Sequence, residues 1–210
     1  TILNRTIVLF LKEMWMNILR TCLLGSAAAL VLGSALAQPL TVADVKYPQA
    51  TQVHTADLQL NGAGVRHKAV FKVYTAGLYL PAKANTAHEV MALPGAKRVA
   101  ITMLREIDSG ELGKLFARGM EDNMDKAAFS KLIPSVVRMG QIFSVHKKLL
   151  PGEQFSIDWV PGIGTVITVK GQPQGEPFQE PAFFNALMRI WLGNQPADHL
   201  LKAALLGKSS

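Results

Sequence analysis

Alternation of apolar and polar positions is clearest between Gly62 and Pro81, GAGVRHKAVFKVYTAGLYLP. Phe71, Val73, Thr75 and Gly77 fall on one side of an extended chain there, and Lys72, Tyr74, Ala76 and Leu78 on the other. The stretch predicts strand and a wall of a pocket, entered through a Gly62-Ala63-Gly64 turn that sets Arg66 just behind it. Arg66 and Tyr74 are eight positions apart, which on one straight strand is roughly 26 Å. Both can serve one small ligand only if the chain bends or reverses between them, and His67-Lys68-Ala69 is the expected place.

Weak alternation from Leu40 to Ala56 and a clearer one from Asp57 to Asn61 predict one or two short strands leading into this stretch. Pro81 ends it, and Asn85-Thr86 can cap a short helix from Ala87 to Leu93. The β-branched run Lys97 to Leu104 predicts another strand. Asp108-Ser109 opens a helix on which Leu112, Leu115, Phe116, Gly119, Met120 and Asn123 share one stripe, which puts Asn123 on or beside the buried face. A second helical segment spans Phe129 to Leu149, with Pro134 tolerable only near its first turn. A hairpin follows, Gln154 to Val160 and Thr165 to Lys170 around Pro161-Gly162-Ile163-Gly164. A helix from Glu180 to Leu192 carries an apolar face of Phe183, Phe184, Leu187, Ile190 and Trp191 and is closed by Gly193; Pro196 to Leu206 forms a last short helix. This order argues α+β, with helices covering one face of an antiparallel sheet.

The first residues change the picture of where the protein works. From Met16 the chain reads MNILRTCLLGSAAALVLGSALAQ, with a charge at Arg20, a short apolar run and a small-residue site at Ala35-Leu36-Ala37. That is the pattern of a secretory signal peptide cleaved near Ala37, with Met14 or Met16 as the start and the residues before it as upstream sequence. The expected product is a single domain, residues 38–210, periplasmic or secreted, with no stable membrane anchor after cleavage. The single cysteine, Cys22, leaves with the signal, so no disulfide is available and the core alone must stabilise the fold. Formal charge falls from +7 to +5, because residues 1–37 hold Arg5, Lys12 and Arg20 against Glu13. The remaining Lys and Arg are scattered and form no basic stripe, which argues against a nucleic-acid partner.

His54, His67, His88, His146 and His199 are dispersed without i, i+4 pairs, so no metal site is expected, and no cofactor motif is found. No nucleophile-elbow glycine pattern accompanies a serine or threonine. The glycine turns are too short and wrongly placed to cradle phosphate, and turn geometry accounts for them. Arg66 remains as the candidate. An exposed strand-edge charge is its ordinary explanation, but its place among glycines beside an aromatic run suits a guanidinium aimed at a carboxylate or phenolate in a partly dry cavity.

Gly62-Ala63-Gly64-Val65-Arg66, the run Lys72 to Leu80 and the helix carrying Asn123 together resemble the chalcone isomerase superfamily, specifically its bacterial chalcone-isomerase-like branch with a signal peptide, over Val42 to Gly207. The resemblance implies an open-faced β-sandwich, a large antiparallel sheet covered by a helical layer, with the ligand cleft between the two. It implies that Arg66 positions a substrate oxyanion and that Asn123 matches the family's asparagine. It also implies that the family's threonine is replaced by Tyr74, its tyrosine by Phe116 and its late-helix hydroxyl by Phe184. Lost hydroxyl donors argue against efficient chalcone cyclisation. Arginine with tyrosine is similar to the fatty-acid-binding branch, where that pair holds a carboxylate, and Phe116 and Phe184 would suit a hydrophobic tail.

Three functions stay open at this stage. One is binding of a small amphipathic anionic ligand, fatty-acid-like or phenolic, by Arg66, Tyr74, Phe116, Asn123 and Phe184. The second is an isomerase, an intramolecular lyase on an unknown substrate, with Arg66, Tyr74 and Asn123 catalytic. The third is an accessory role through a partner surface. Oligomeric state is not legible.

Overall fold

A computed structural model of the protein describes residues 38–208. The expected signal peptide and the residues before it lie outside the described part. The centre is a hairpin of two long strands, β4 (Ala56–Lys68) and β5 (Phe71–Leu80). Before it come a small hairpin, β1 (Leu40–Val42) with β2 (Val45–Tyr47), and β3 (Ala50–Val53). So the segment from Leu40 to Asn61, read as one or two short strands, holds three and the start of β4. After it follow β6 (Lys97–Met103), the short pair β7 (Ile107–Asp108) and β8 (Lys148–Leu149), then β9 (Gln154–Val160), β10 (Gly164–Val169) and β11 (Gln172–Pro173). Seven of these make one sheet in the order β11-β10-β9-β6-β5-β4-β3, every neighbour antiparallel.

Five helices are described: α1 (Ala87–Ala92), α2 (Ser109–Glu121), α3 (Lys126–Ser144), α4 (Pro181–Leu192) and α5 (His199–Leu205). None is long and apolar enough to cross a membrane. Side chains of Thr86, Asp108, Asp125 and Asp198 cap α1, α2, α3 and α5, each accepting a backbone N–H that the first turn cannot pair internally. The α3 bounds differ from the expected 129–149: Asp125 starts the helix earlier, and the chain after Ser144 leaves to form β8. Pro134 therefore lies well inside α3. Both it and Ser130, whose carbonyl loses its helical partner, are exposed, so water can satisfy the orphaned oxygen.

The sheet has two covered faces. Tyr74, Ala76, Leu78 and Leu80 of β5, Val99, Ile101 and Met103 of β6, and Phe155 and Ile157 of β9 pack with the helices into the main core. Its centre is an aromatic cluster in which Phe116 meets Phe143 at 5.7 Å and Trp191 at 5.5 Å, both edge-on. The other face carries Leu58, Leu60, Ala63, Tyr79 and Val160 and is closed in part by Tyr47 from β2. The Tyr47 ring lies against Gly77, where a Cβ would approach it to 2.5 Å, and its hydroxyl donates to Thr75 Oγ1 at 2.7 Å.

Gly62-Ala63-Gly64 is not a turn. It runs through the middle of β4, where the two glycines bare the strand so that α5 can lie on it: a Cβ on Gly62 would overlap the Ala204 carbonyl, and one on Gly64 would come within 2.7 Å of Ala204 Cβ. Between Leu60 and Gly62 the β4–β5 register shifts by one residue at Asn61. Upstream of this bulge Leu58 and Leu60 face away from the helices; downstream, Gly62, Gly64 and Arg66 face towards them. The Asn61 amide fixes the bulge, donating to the carbonyls of Ala84 (2.9 Å) and Leu205 (2.7 Å) and accepting from Ala84 N–H (2.8 Å).

Candidate functional site

The chain reverses at Ala69 and Val70, and the returning strand sets Tyr74 directly opposite Arg66 in the β4–β5 register. Ala69 takes the turn with φ of 52°. The Arg66 Cζ stands over the Tyr74 ring, 5.6 Å from its centroid, a separation at which a cation is attracted to the ring face. Both residues line a cavity of about 250 Å³ between the sheet and the helices, roofed by Leu112 and Phe116 of α2, Ile190 of α4 and Pro196 of the α4–α5 link. Arg118, Asp122 and Gln195 complete its polar lining.

Arg66 has no ion-pair partner among the described residues; their ion pairs are His67–Asp198, Arg98–Asp158, Lys114–Glu111, Lys148–Glu106 and Lys170–Glu153. Its Nε is buried without a hydrogen-bond partner. A buried N–H left unmade costs about 1–3 kcal/mol, more for a charged group, so the guanidinium is poised for an acceptor that the described residues do not supply.

Tyr74 is almost fully buried, and its oxygen accepts a hydrogen bond from Trp191 Nε1 at 2.9 Å. Burial pushes its hydroxyl up to about 12, against the opposing pull of Arg66 and of the Trp191 bond; the charge of Asp198 adds to the rise. Asp198 itself lies below the usual carboxylate range: burial pushes it up, but the amides of His67, Leu201 and Leu200 outweigh that effect. Those three amides bond its oxygens at 2.7, 3.1 and 2.7 Å respectively. Asp198 thus joins the residue after Arg66 to the first turn of α5.

The structure brings Arg66, Tyr74 and Phe116 together around one cavity and places Asn123 and Phe184 elsewhere. Asn123 follows α2 as a strut. Its Nδ2 donates to the carbonyls of Gly119 (2.9 Å) and Gln195 (2.8 Å), and its Oδ1 accepts from Gln195 N–H (2.8 Å). It borders a separate depression of about 560 Å³, whose arginine, Arg189, is occupied in donating to the Asn123 carbonyl. The helical stripe correctly sets Asn123 beside buried residues, but its amide is spent on the α4–α5 link. Phe184 packs on Trp159 of β9 at 5.7 Å, inside the core. Gly193 ends α4 in an extended conformation, not a left-handed one; it must be glycine because a Cβ would strike Asn123 Oδ1 and the Arg189 carbonyl. Trp191, Arg118 and Gln195 were not singled out from sequence. Trp191 reads as one more apolar position of α4, and only its indole N–H hints at a polar partner.

Among the described residues, no three His, Cys, Asp or Glu gather as metal ligands. The polar side chains of the lining are the Arg66 guanidinium, the neutral phenol of Tyr74, Arg118, Asp122 and Gln195; the rest is apolar. That arrangement can hold an anion at one point and a hydrophobic body beside it.

An antiparallel sheet with helices over one face and an arginine-bearing cavity between them defines an α+β protein of the open-faced sandwich class. The chain belongs to the chalcone isomerase-like family, whose sequence pattern matches residues 39–207. Its fold is similar to the crystal structure of a fatty-acid binding protein from Arabidopsis thaliana, with a TM-score of 0.64 and 14% identity, covering 80% of this chain and 96% of that one. None of the curated proteins compared matches the sequence.

Proposed function

We propose that this protein binds a small amphipathic anion, fatty-acid-like or phenolic, in the cavity between sheet and helices. Arg66 and Tyr74 hold the head, and Leu112, Phe116 and Ile190 take the apolar body. The observation that carries the reading is the Arg66 guanidinium, set at a cavity with its Nε buried and unpartnered. The described function of the Arabidopsis neighbour, fatty-acid binding, supports it. Efficient chalcone cyclisation is not proposed: the resemblance puts Phe116 where the family's isomerases carry a hydroxyl, leaving Tyr74 as the one hydroxyl in the lining. Export to the periplasm or medium is proposed on the sequence of residues 16–37 alone, and N-terminal sequencing of the protein from its own cells tests it.

Native mass spectrometry of the purified protein and its Arg66→Ala variant tests the function. A co-purifying acidic ligand present in the first and lost from the second supports it. A ligand retained equally by both would show that Arg66 does not hold it. If added acids bind neither protein, the reading fails in favour of a role through a partner surface.

A further inference from the structure

The hydrogen bond between Trp191 and Tyr74 has a fixed direction. An indole N–H can only donate, so the Tyr74 oxygen must accept, and the phenol's own proton is turned elsewhere. No described residue receives it. The carboxylate that acts on Tyr74 through its charge, Asp198, has both oxygens engaged by the amides of His67, Leu200 and Leu201. Tyr74 lines the cavity, so the cavity is where an acceptor for that proton can sit. Arg66, across the strand pair, is likewise a donor, its buried Nε without an acceptor among the described residues.

We infer that Trp191 is a specificity-determining residue: by donating to Tyr74 it commits the tyrosine to donate into the cavity, so that the head-group position favours pure acceptors, a carboxylate or another oxyanion, over alcohols and amides. The inference rests on the anion-binding reading above and adds to it the residue that sets the polarity. Trp191 is buried behind Tyr74 and does not line the cavity, so it acts as a positioning residue. A phenol free of the indole could rotate and accept from a neutral O–H or N–H as readily as it donates. The burial that pushes its hydroxyl up to about 12 keeps the proton in place over the ordinary pH range.

The test uses octanoate, octanamide and 1-octanol, three probes with one tail. Each has roughly ten heavy atoms, small for a ligand, so that the head group weighs heavily in the comparison. Binding to the wild-type protein and to Trp191→Phe, Tyr74→Phe and the double variant is followed by calorimetry. The wild type is expected to prefer octanoate over both neutral probes. Trp191→Phe and Tyr74→Phe should each cut that preference about ten-fold, the worth of one hydrogen bond to a charged group, and the double variant no further. Equal weakening of all three probes by Trp191→Phe, or an unchanged preference, overturns the inference and leaves anion binding standing. Failure of octanoate to bind the wild type sinks both.

A second measurement does not depend on Trp191→Phe folding. The indole N–H resonance of Trp191 in the wild type should move downfield with octanoate and stay in place with octanol, because a tyrosine donating to an anion becomes a stronger acceptor. An unmoved resonance on octanoate saturation counts against the inference.

Discussion

Arg66 and Tyr74 face each other across the β4–β5 pair, the guanidinium carbon 5.6 Å from the centre of the ring, although a reversal of the chain separates them in sequence. The arginine contributes no ion pair to the fold among the described residues. Replacing it should therefore cost binding and not stability. Arg66→Ala is expected to weaken octanoate binding by ten-fold or more while leaving the thermal midpoint unchanged or slightly raised, since a buried unpaired donor is removed. Arg66→Lys should recover little, because a lysine ammonium lacks the planar fork. Calorimetry of binding and of unfolding on the same samples checks both halves; a large fall in midpoint would make Arg66 structural.

The seat of α5 on β4 gives a paired prediction. Gly64→Ala should destabilise by about 1–3 kcal/mol through overpacking against Ala204 Cβ, and Ala204→Gly in that background should return part of the loss. Gly62→Ala should be at least as damaging, yet unrescued by Ala204→Gly, because there the clash is with the backbone carbonyl. Chemical denaturation of the four variants decides it. Rescue of both glycine variants alike would mean that the helix simply shifts.

The Asn123 side chain makes three hydrogen bonds, two of them to the backbone of Gln195, beside the cavity. At about 1 kcal/mol for each, Asn123→Ala should cost roughly 2–3 kcal/mol of stability. The same variant should lower octanoate affinity only modestly, by loosening Gln195 and Pro196. Loss of binding without loss of stability would instead give Asn123 the direct ligand contact that the family resemblance implies.

Burial pushes the chain's three tyrosines, Tyr47, Tyr74 and Tyr79, up to about 12 from an ordinary value of 10.0. Raised values favour the neutral phenols of the fold, so their contribution is whole below pH 10 and is lost as pH climbs from 10 to 12. In that window stability should fall by about 1.4 kcal/mol per pH unit for each tyrosine. Denaturant midpoints taken alongside phenolate absorbance test this. Phenolate should appear with unfolding; its appearance near pH 10 in folded protein would contradict the burial argument.

Much of the site could be read from residues whose neighbours are near in sequence. The spacing of Arg66 and Tyr74 allows them to serve one ligand only with a bend or reversal near residue 68, and the hairpin supplies a reversal. The α2 stripe brought Phe116 to the right face, and the cap at Asp108 placed the helix start. What stayed hidden depends on partners far away. Gly62 and Gly64 looked like a turn because the helix that needs them bare lies at Ala204. The Asn61 bulge, which decides that Arg66 faces the helices at all, has no mark in local alternation. Trp191 showed as apolar because periodicity reports which face is buried and is silent on where an indole N–H points, here to a tyrosine 117 positions earlier.

The Asn61 amide reaches Leu205 across 144 positions, and the same helix closes over Gly62 and Gly64. On a ribosome, β4 and β5 can pair soon after they emerge, since only Ala69 and Val70 join them. The bare strip beside Arg66 then has nothing to lie against until α5 is made, and long-range closure of that kind is slow. The arginine is thus synthesised early and seated late. Chains cut before His199 keep every residue of the cavity lining but leave the glycine strip open, so the strand that carries Arg66 is seated only after α5 has docked.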